Sequence, residues 1–73
     1  MTNEEALIIA RKYLNDLKAD YVMPGTIGRN EGGRIEVIFL NPLALEPGVI
    51  IDPPDIKLWV DTSTGKVELI YLI

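Results

Sequence analysis

The chain has 73 residues, a net charge of −4, no cysteine and no histidine. This length supports one domain with one hydrophobic core, and the missing side chains exclude disulfides and zinc sites built on Cys or His. The seven Lys and Arg residues are scattered, whereas phosphate backbones are bound by clustered cations, so we expect no nucleic-acid partner.

The N-terminal region predicts a soluble protein. It is acidic where a secretory signal would be basic, and no stretch approaches the ~20 apolar residues of a membrane span. We therefore expect a cytoplasmic location without membrane contact, although a mature form already cleaved from its signal would have the same sequence.

The first predicted element is an amphipathic helix. Thr2 and Glu5 have the spacing of a capping box, with Thr2 as the N-cap. Apolar residues then recur at positions i, i+3, i+4 and i+7, which places them on one face of a helix that should end near Ala19.

A predicted hairpin follows the helix. Residues 26–29 are expected to form at most a short edge strand, because Pro24 is tolerated only at an edge. The next strand, Arg34–Leu40, is strongly apolar. Ile27 would pair with Ile35 or with Glu36 depending on loop length, and the apolar pair is favoured.

The segment 41–55 contains four prolines and an unusual number of apolar residues. Two alternatives are open: these residues form a satellite core, or they form a stiff recognition loop whose prolines reduce the entropy lost on binding. The second alternative predicts that a protein partner is bound by Leu43, Leu45, Val49, Ile50 and Ile51.

The last predicted element is a hairpin with residues 62–65 as its loop. Gly65 would supply the positive φ that closes the loop, and Asp61 would accept hydrogen bonds from turn amides. The expected cross-strand pairs are Val60 with Val67, Leu58 with Leu69, Ile56 with Tyr71, Trp59 with Glu68 and Lys57 with Ile70.

Together these elements predict an α+β fold, with one N-terminal helix packed on one face of a three- to four-stranded antiparallel sheet. The predicted core consists of Ala6, Ile9, Ala10, Tyr13, Leu14, Leu17, Ile35, Val37, Phe39, Leu58, Val60, Val67, Leu69 and Tyr71.

One helix cannot cover both faces of such a sheet, and exposed apolar sheet surface usually indicates a partner. Either a second copy of the chain or the 41–55 loop could cover the open face, and the need of a small domain for extra burial favours a homodimer. Trp59 is either a lid over its neighbours or an interface anchor. The predicted dimer interface consists of Ile38, Leu40, Trp59, Ile70 and Leu72.

The sequence gives little support for an enzymatic function. His and Cys are absent, and residues 64–66 (TGK) lack the second glycine and the helix of a phosphate-binding loop. The alternative to a binding module is a small hydrolase or isomerase that uses Asp52, Asp55 or Asp61. No motif indicates a cofactor or a metal site.

Two stretches, 4–10 (EEALIIA) and 59–67 (WVDTSTGKV), resemble the PepSY-type domains of bacteria. Members of that family combine a helix with a small antiparallel sheet and have proposed roles in restraining peptidases. The plan is also similar to that of small immunity proteins, which block a toxin by binding it. Both resemblances imply a non-catalytic binding or inhibitory function.

Overall fold

The computed structural model describes residues 1–48 and 55–71. The elements are helix α1 (Asn3–Asp16), strands β1 (Val22–Glu31) and β2 (Arg34–Leu40), a 3-10 helix (Pro42–Leu45), and strands β3 (Asp55–Asp61) and β4 (Val67–Tyr71). The four strands form one antiparallel sheet in the order β1-β2-β3-β4. The predicted α+β fold is confirmed.

Helix α1 begins with the predicted capping box. The backbone N–H of Glu5 donates to Oγ1 of Thr2 at 3.1 Å, and the N–H of Thr2 donates to Oε1 of Glu5 at 3.1 Å. Thr2 is thereby the chief reason that the pKa of the Glu5 carboxyl is lowered from its ordinary value. Two of the orphan N–H groups at this helix end are satisfied.

The helix ends at Asp16, earlier than predicted. Lys18 adopts a left-handed φ of 57°, and its N–H donates to the Asn15 carbonyl at 3.0 Å. The N–H of Ala19 donates to the Leu14 carbonyl at 3.0 Å, which completes a Schellman motif. Because the chain reverses there, Leu17 is 50% exposed, and its assignment to the core is wrong.

The core lies between α1 and one face of the sheet. Ala6 and Ala10 have no exposed surface, and their small side chains allow the helix to approach the strands closely. Ile56 is fully buried although it was absent from the predicted core. The predicted residues confirmed as buried are Ala6, Ala10, Leu14, Ile35, Val37, Phe39, Leu58 and Val60, and Ile9, Tyr13, Val67 and Leu69 pack against them partly buried.

Strand β1 is much longer than the predicted edge strand. Residues Gly32 and Gly33, with φ of 62° and 75°, form the two-residue turn that leads into β2. Ile27 pairs with Val37 and not with either predicted partner. The reason is the two-residue turn together with the register shift between Ile27 and Asn30, which lies between Ile27 and that turn.

Strand β3 lies between β2 and β4 in the sheet and pairs with both. Its pairs with β4 confirm Val60–Val67, Leu58–Leu69 and Trp59–Glu68, but a register shift then places Tyr71 opposite Lys57. The predicted pairs Ile56–Tyr71 and Lys57–Ile70 are therefore wrong. The side chain of Tyr71, whose burial was predicted, lies outside the described part of the chain.

Candidate functional site

The sheet face opposite α1 is centred on Trp59. Its backbone pairs with Glu36 of β2 on one side and with Glu68 of β4 on the other. Leu58 and Val60 belong to the core beneath the helix, so the alternation of β3 directs Trp59 to the opposite face. The residue is nevertheless only 7% exposed.

Two arginines cover the indole. The guanidinium carbon of Arg34 lies 4.3 Å from the ring centroid of Trp59, and that of Arg29 lies 5.3 Å from it. Both distances are within the range of cation–π attraction, which contributes about 0.5–1 kcal/mol at exposed sites. The open face therefore presents guanidinium groups above the indole, where the sequence predicted bare apolar surface.

Glu36 lies beside the indole and is only 5% exposed. Its carboxylate accepts a hydrogen bond from the backbone N–H of Arg29 at 3.3 Å and one from Nη2 of Arg29 at 3.4 Å. Gly28 makes room for it, because a Cβ at that position would overlap Oε1 of Glu36 and lie 3.0 Å from Cδ1 of Ile38. The buried charge is thus paired with a cation and hydrogen-bonded.

Two further ion pairs flank the site. Arg29 lies 3.7 Å from Glu31, and Arg34 lies 3.6 Å from Glu68, with all four side chains at least 44% exposed. Exposed pairs of this kind contribute only about 0–1 kcal/mol to stability. Arg34 and Glu68 also border a shallow cleft of about 290 Å³ beside Trp59.

The predicted dimer-interface residues are distributed unevenly over the open face. Ile38 and Leu40 are half-buried on β2, whereas Ile70 is 41% exposed at the register shift of β4. Trp59 lies beneath the arginines, and Leu72 lies outside the described residues. The first alternative for Trp59, a lid over its neighbours, does not describe its position, because the guanidinium groups of Arg29 and Arg34 lie over the ring.

The predicted partner-binding loop is described only in part. Leu45 is 63% exposed at the end of the 3-10 helix, which also contains Leu43. The side chain of Leu43 and the residues Val49, Ile50 and Ile51 lie outside the described part. A role of these residues in recognition stays a prediction.

A second groove, of about 220 Å³, lies between α1 and β1. Ile8 is 50% exposed and Met23 is 51% exposed on its walls, and Glu4 and Arg11 also line it. At 100° per residue, Ile8 lies about 200° around α1 from the buried residue Ala6, on the polar side of the helix. The structure places it together with another exposed apolar side chain.

The carboxylates of the alternative enzyme hypothesis do not form a pair. Asp55 and Asp61 are the first and last residues of β3. At ~3.3 Å per residue, their backbones are separated by about 20 Å, well beyond the separation of an acid–base pair. Asp52 lies outside the described residues, within which no cluster of three or more acidic side chains could hold a metal ion.

The carboxylate of Asp61 is used within the last hairpin. Its Oδ1 accepts hydrogen bonds from Oγ of Ser63 at 2.7 Å and from the N–H groups of Ser63 and Thr64 at 2.8 and 3.1 Å. These bonds, chiefly those from Ser63, hold the pKa of Asp61 below its ordinary value. This confirms the predicted turn role of Asp61.

The lowered pKa predicts how acid affects this hairpin. Because the pKa of Asp61 is lower in the folded chain than in the unfolded chain, its contribution is complete above the unfolded pKa and is lost as pH falls through the folded one. We expect the free-energy difference between wild type and Asp61→Asn to be constant above about pH 5 and to shrink below about pH 4.

Urea unfolding at a series of pH values measures this difference. Ser63→Ala, which removes one of the donors, should reduce the pH dependence without removing the carboxylate. A difference between wild type and Asp61→Asn that is the same at every pH would contradict the assignment.

Sequence reasoning missed the two arginines as site residues. The position of Arg34 could have been predicted, because strand alternation places Arg34 on the same face as Glu36, two residue pairs away from Trp59. The position of Arg29 could not have been predicted, because Arg29 lies within the register shift between Ile27 and Asn30. Alternation cannot be extended through such a shift.

Comparisons with known proteins give this site no precedent. No family model, curated protein or solved structure matches the chain. The resemblance to PepSY-type domains therefore stays a hypothesis that depends on two short stretches. Among the described residues, α1 falls short of the length and apolar character of a membrane-crossing helix, and the cytoplasmic location stays a prediction.

Proposed function

We propose that this protein is a non-catalytic binding or inhibitory module that recognises a protein partner through the open face of its sheet. The observation that carries the proposal is Trp59 with Arg29 and Arg34 stacked over it. Trp and Arg are among the residues most enriched at the energetic hot spots of protein interfaces. PepSY-type domains and immunity proteins, which the sequence resembles, imply the same class of function.

The chemistry of the face supports a partner with both charged and apolar groups. Arg29 and Arg34 are 64% and 44% exposed, and their ion pairs with neighbouring carboxylates are 3.4–3.7 Å long. The exposed pairs, Arg29–Glu31 and Arg34–Glu68, cost little to exchange, so the guanidinium of Arg34 can turn to a partner carboxylate and form shorter, bidentate hydrogen bonds. Ile38 adds half-buried apolar area to the same face, and Ile70 is 41% exposed at the register shift of β4.

An affinity experiment with matched variants tests this surface. The open-face variant combines Arg34→Ala with Ile70→Lys, and the control combines Arg11→Ala with Ile8→Lys in the groove beside α1. Both remove one arginine and add one lysine at an exposed isoleucine. Wild-type and variant proteins are used as bait in lysate from the native cells, and captured proteins are quantified by mass spectrometry.

We expect a protein that is captured by the wild type and the groove variant and lost from the open-face variant. The purified partner should then bind the open-face variant at least about tenfold more weakly, because truncating an interface anchor costs more than about 1 kcal/mol. Equal capture by both variants, or a loss confined to the groove variant, would contradict the proposal. Leu45→Ala, in the same assay, tests the predicted contribution of the loop.

A further inference from the structure

The outer face of α1 carries an apolar side chain that the fold does not bury. Ala6, Ala10 and Leu14 are buried and mark the side of the helix that faces the sheet. Ile8 lies on the other side and is 50% exposed. Met23 of β1 is 51% exposed and lines the same groove as Ile8. These two side chains form an apolar centre on the helix side of the molecule.

Four charged residues surround Ile8 in a regular pattern. At 100° per residue, Glu4 and Arg11 lie about 40° and 60° from Ile8 on one side of the helix. Lys12 and Glu5 lie about 40° and 60° from it on the other side. On each side the acidic residue is nearer to the N-terminus of α1 and the basic residue is nearer to its C-terminus. The face around Ile8 therefore has opposite charges at its two ends.

The fold of a single chain leaves these charges largely unused. Within the described residues, none of the four forms an ion pair. The helix dipole accounts for the two glutamates in the first turn, but Arg11 and Lys12 precede the last turn, where it would favour cations. Glu5 accepts a hydrogen bond from the N–H of Thr2 through Oε1, which leaves Oε2 for another partner. A second molecule with complementary charges can pair with all four residues.

We propose that this second molecule is another copy of the chain, with the two α1 helices packed antiparallel about a two-fold axis at Ile8. The axis runs perpendicular to α1, so it brings each side of one helix against the same side of the other. Glu4 of one copy then meets Arg11 of the other. On the opposite side Glu5 meets Lys12, so the contact contains four pairs of opposite charge. The members of each pair differ by one residue, or about 1.5 Å, in their distance from the axis.

Other arrangements of the two helices oppose like charges. A parallel pair would place glutamates level with glutamates and basic residues level with basic residues. An antiparallel axis one turn nearer to the N-terminus would bring the glutamates of both copies together. One turn nearer to the C-terminus, it would bring Arg11 and Lys12 of both copies together. Because juxtaposed like charges are costly in an interface, charge complementarity selects the antiparallel pair centred on Ile8.

Apolar contact adds to the charge pairs. The two Ile8 side chains meet at the axis, and both Met23 side chains lie on the same side of it. An apolar centre within a charged rim is the usual arrangement of a specific interface. The Trp59 site lies on the other face of the sheet, so this inference is independent of the proposed function. It places the contact between copies on the helix, whereas the sequence predicted that contact on the open face.

Two charge reversals and their mixture test the register. Sedimentation velocity of the full chain is measured from micromolar to millimolar concentration, because a single helix face makes a small interface and a weak dimer. Glu4→Lys and Arg11→Glu each create two like-charge pairs and should weaken dimerisation about tenfold. An equimolar mixture of the two variants should dimerise within about threefold of wild type. In the mixture, the lysine introduced at position 4 faces the glutamate introduced at position 11, whereas a structural defect in either variant would persist.

Matched charge changes outside α1 provide the control. Glu46→Lys and Lys66→Glu alter exposed positions after the 3-10 helix and before β4, and they should have no effect, alone or mixed. Copies of the chain itself are not counted among the captured proteins in the affinity experiment on the open face. The two proposals are therefore tested separately.

Ile8→Gln provides a second measurement. It removes the apolar centre without changing the charge, so it should weaken dimerisation at least about tenfold and leave the circular dichroism unchanged. Leu17→Gln, at a position that is also 50% exposed, should dimerise as the wild type does. A wild-type chain that is monomeric at every concentration would overturn the inference. So would a mixture no more dimeric than its separate variants, or a dimer that persists in Ile8→Gln.

Discussion

Replacement of Phe39 by alanine is expected to lower the free energy of unfolding by about 3–5 kcal/mol. Phe39 has no exposed surface, and its ring lies 4.9 Å from that of Tyr21, centroid to centroid. Its opposite neighbour is the backbone of β1, because a Cβ on Gly25 would lie 2.5–2.9 Å from three ring atoms. Phe39→Ala would leave a cavity between the backbone of β1 and the ring of Tyr21. Neither can move far enough to fill it.

The loss is large for a chain of this size. Seventy-three residues at about 0.05–0.15 kcal/mol each correspond to a total stability of about 4–11 kcal/mol. Phe39→Ala should therefore leave a substantial unfolded population at ambient temperature, visible as a lower urea midpoint and a lower Tm. Phe39→Leu should cost about 1–2 kcal/mol, because leucine keeps most of the apolar volume.

Leu17→Ala is the matched control for the truncation. Leu17 is 50% exposed, so its truncation should change stability by no more than about 0.5 kcal/mol. Comparing Leu17→Ala with Phe39→Ala shows whether the loss of stability depends on the burial of the side chain or only on its being hydrophobic. A cost at Leu17 equal to that at Phe39 would show that Leu17 belongs to the core after all.

The second large effect is expected at the edge of the Trp59 site, where Gly28→Ala should lower the free energy of unfolding by about 1–3 kcal/mol. Gly28 does not have a positive φ, so the penalty arises from space and not from backbone conformation. The added methyl group would meet the carboxylate of Glu36 and Cδ1 of Ile38. Glu36 could move only by giving up its hydrogen bonds to Arg29.

A double-mutant cycle with Glu36→Ala measures this contact. Removal of the carboxylate creates the space that the methyl group needs, so Gly28→Ala should cost at least about 1 kcal/mol less in the Glu36→Ala background. Asn30→Ala, an exposed position on the same strand, should show no such coupling. Additive effects of Gly28→Ala and Glu36→Ala would mean that the carboxylate does not pack against Gly28.

Elements whose signals are local in sequence were predictable. The capping box of Thr2 and Glu5 depends on two residues three positions apart, and the last hairpin depends on Asp61 and Gly65 at fixed offsets. The buried face of β2 and most of that of α1 follow from periodicity alone. Because these interactions are complete within one helix or one hairpin, the sequence by itself determined the α+β plan and the position of its core.

The tertiary structure decided what depends on pairing between elements. Register shifts in β1 lengthened that strand and brought Arg29 over Trp59, and the shift in β4 moved Tyr71 opposite Lys57. Each shift inserts residues on one strand without altering the pattern of either strand alone, so alternation gives no sign of it. The α+β plan was therefore available from the sequence, whereas the position of Arg29 over Trp59 becomes evident only when the strands are paired.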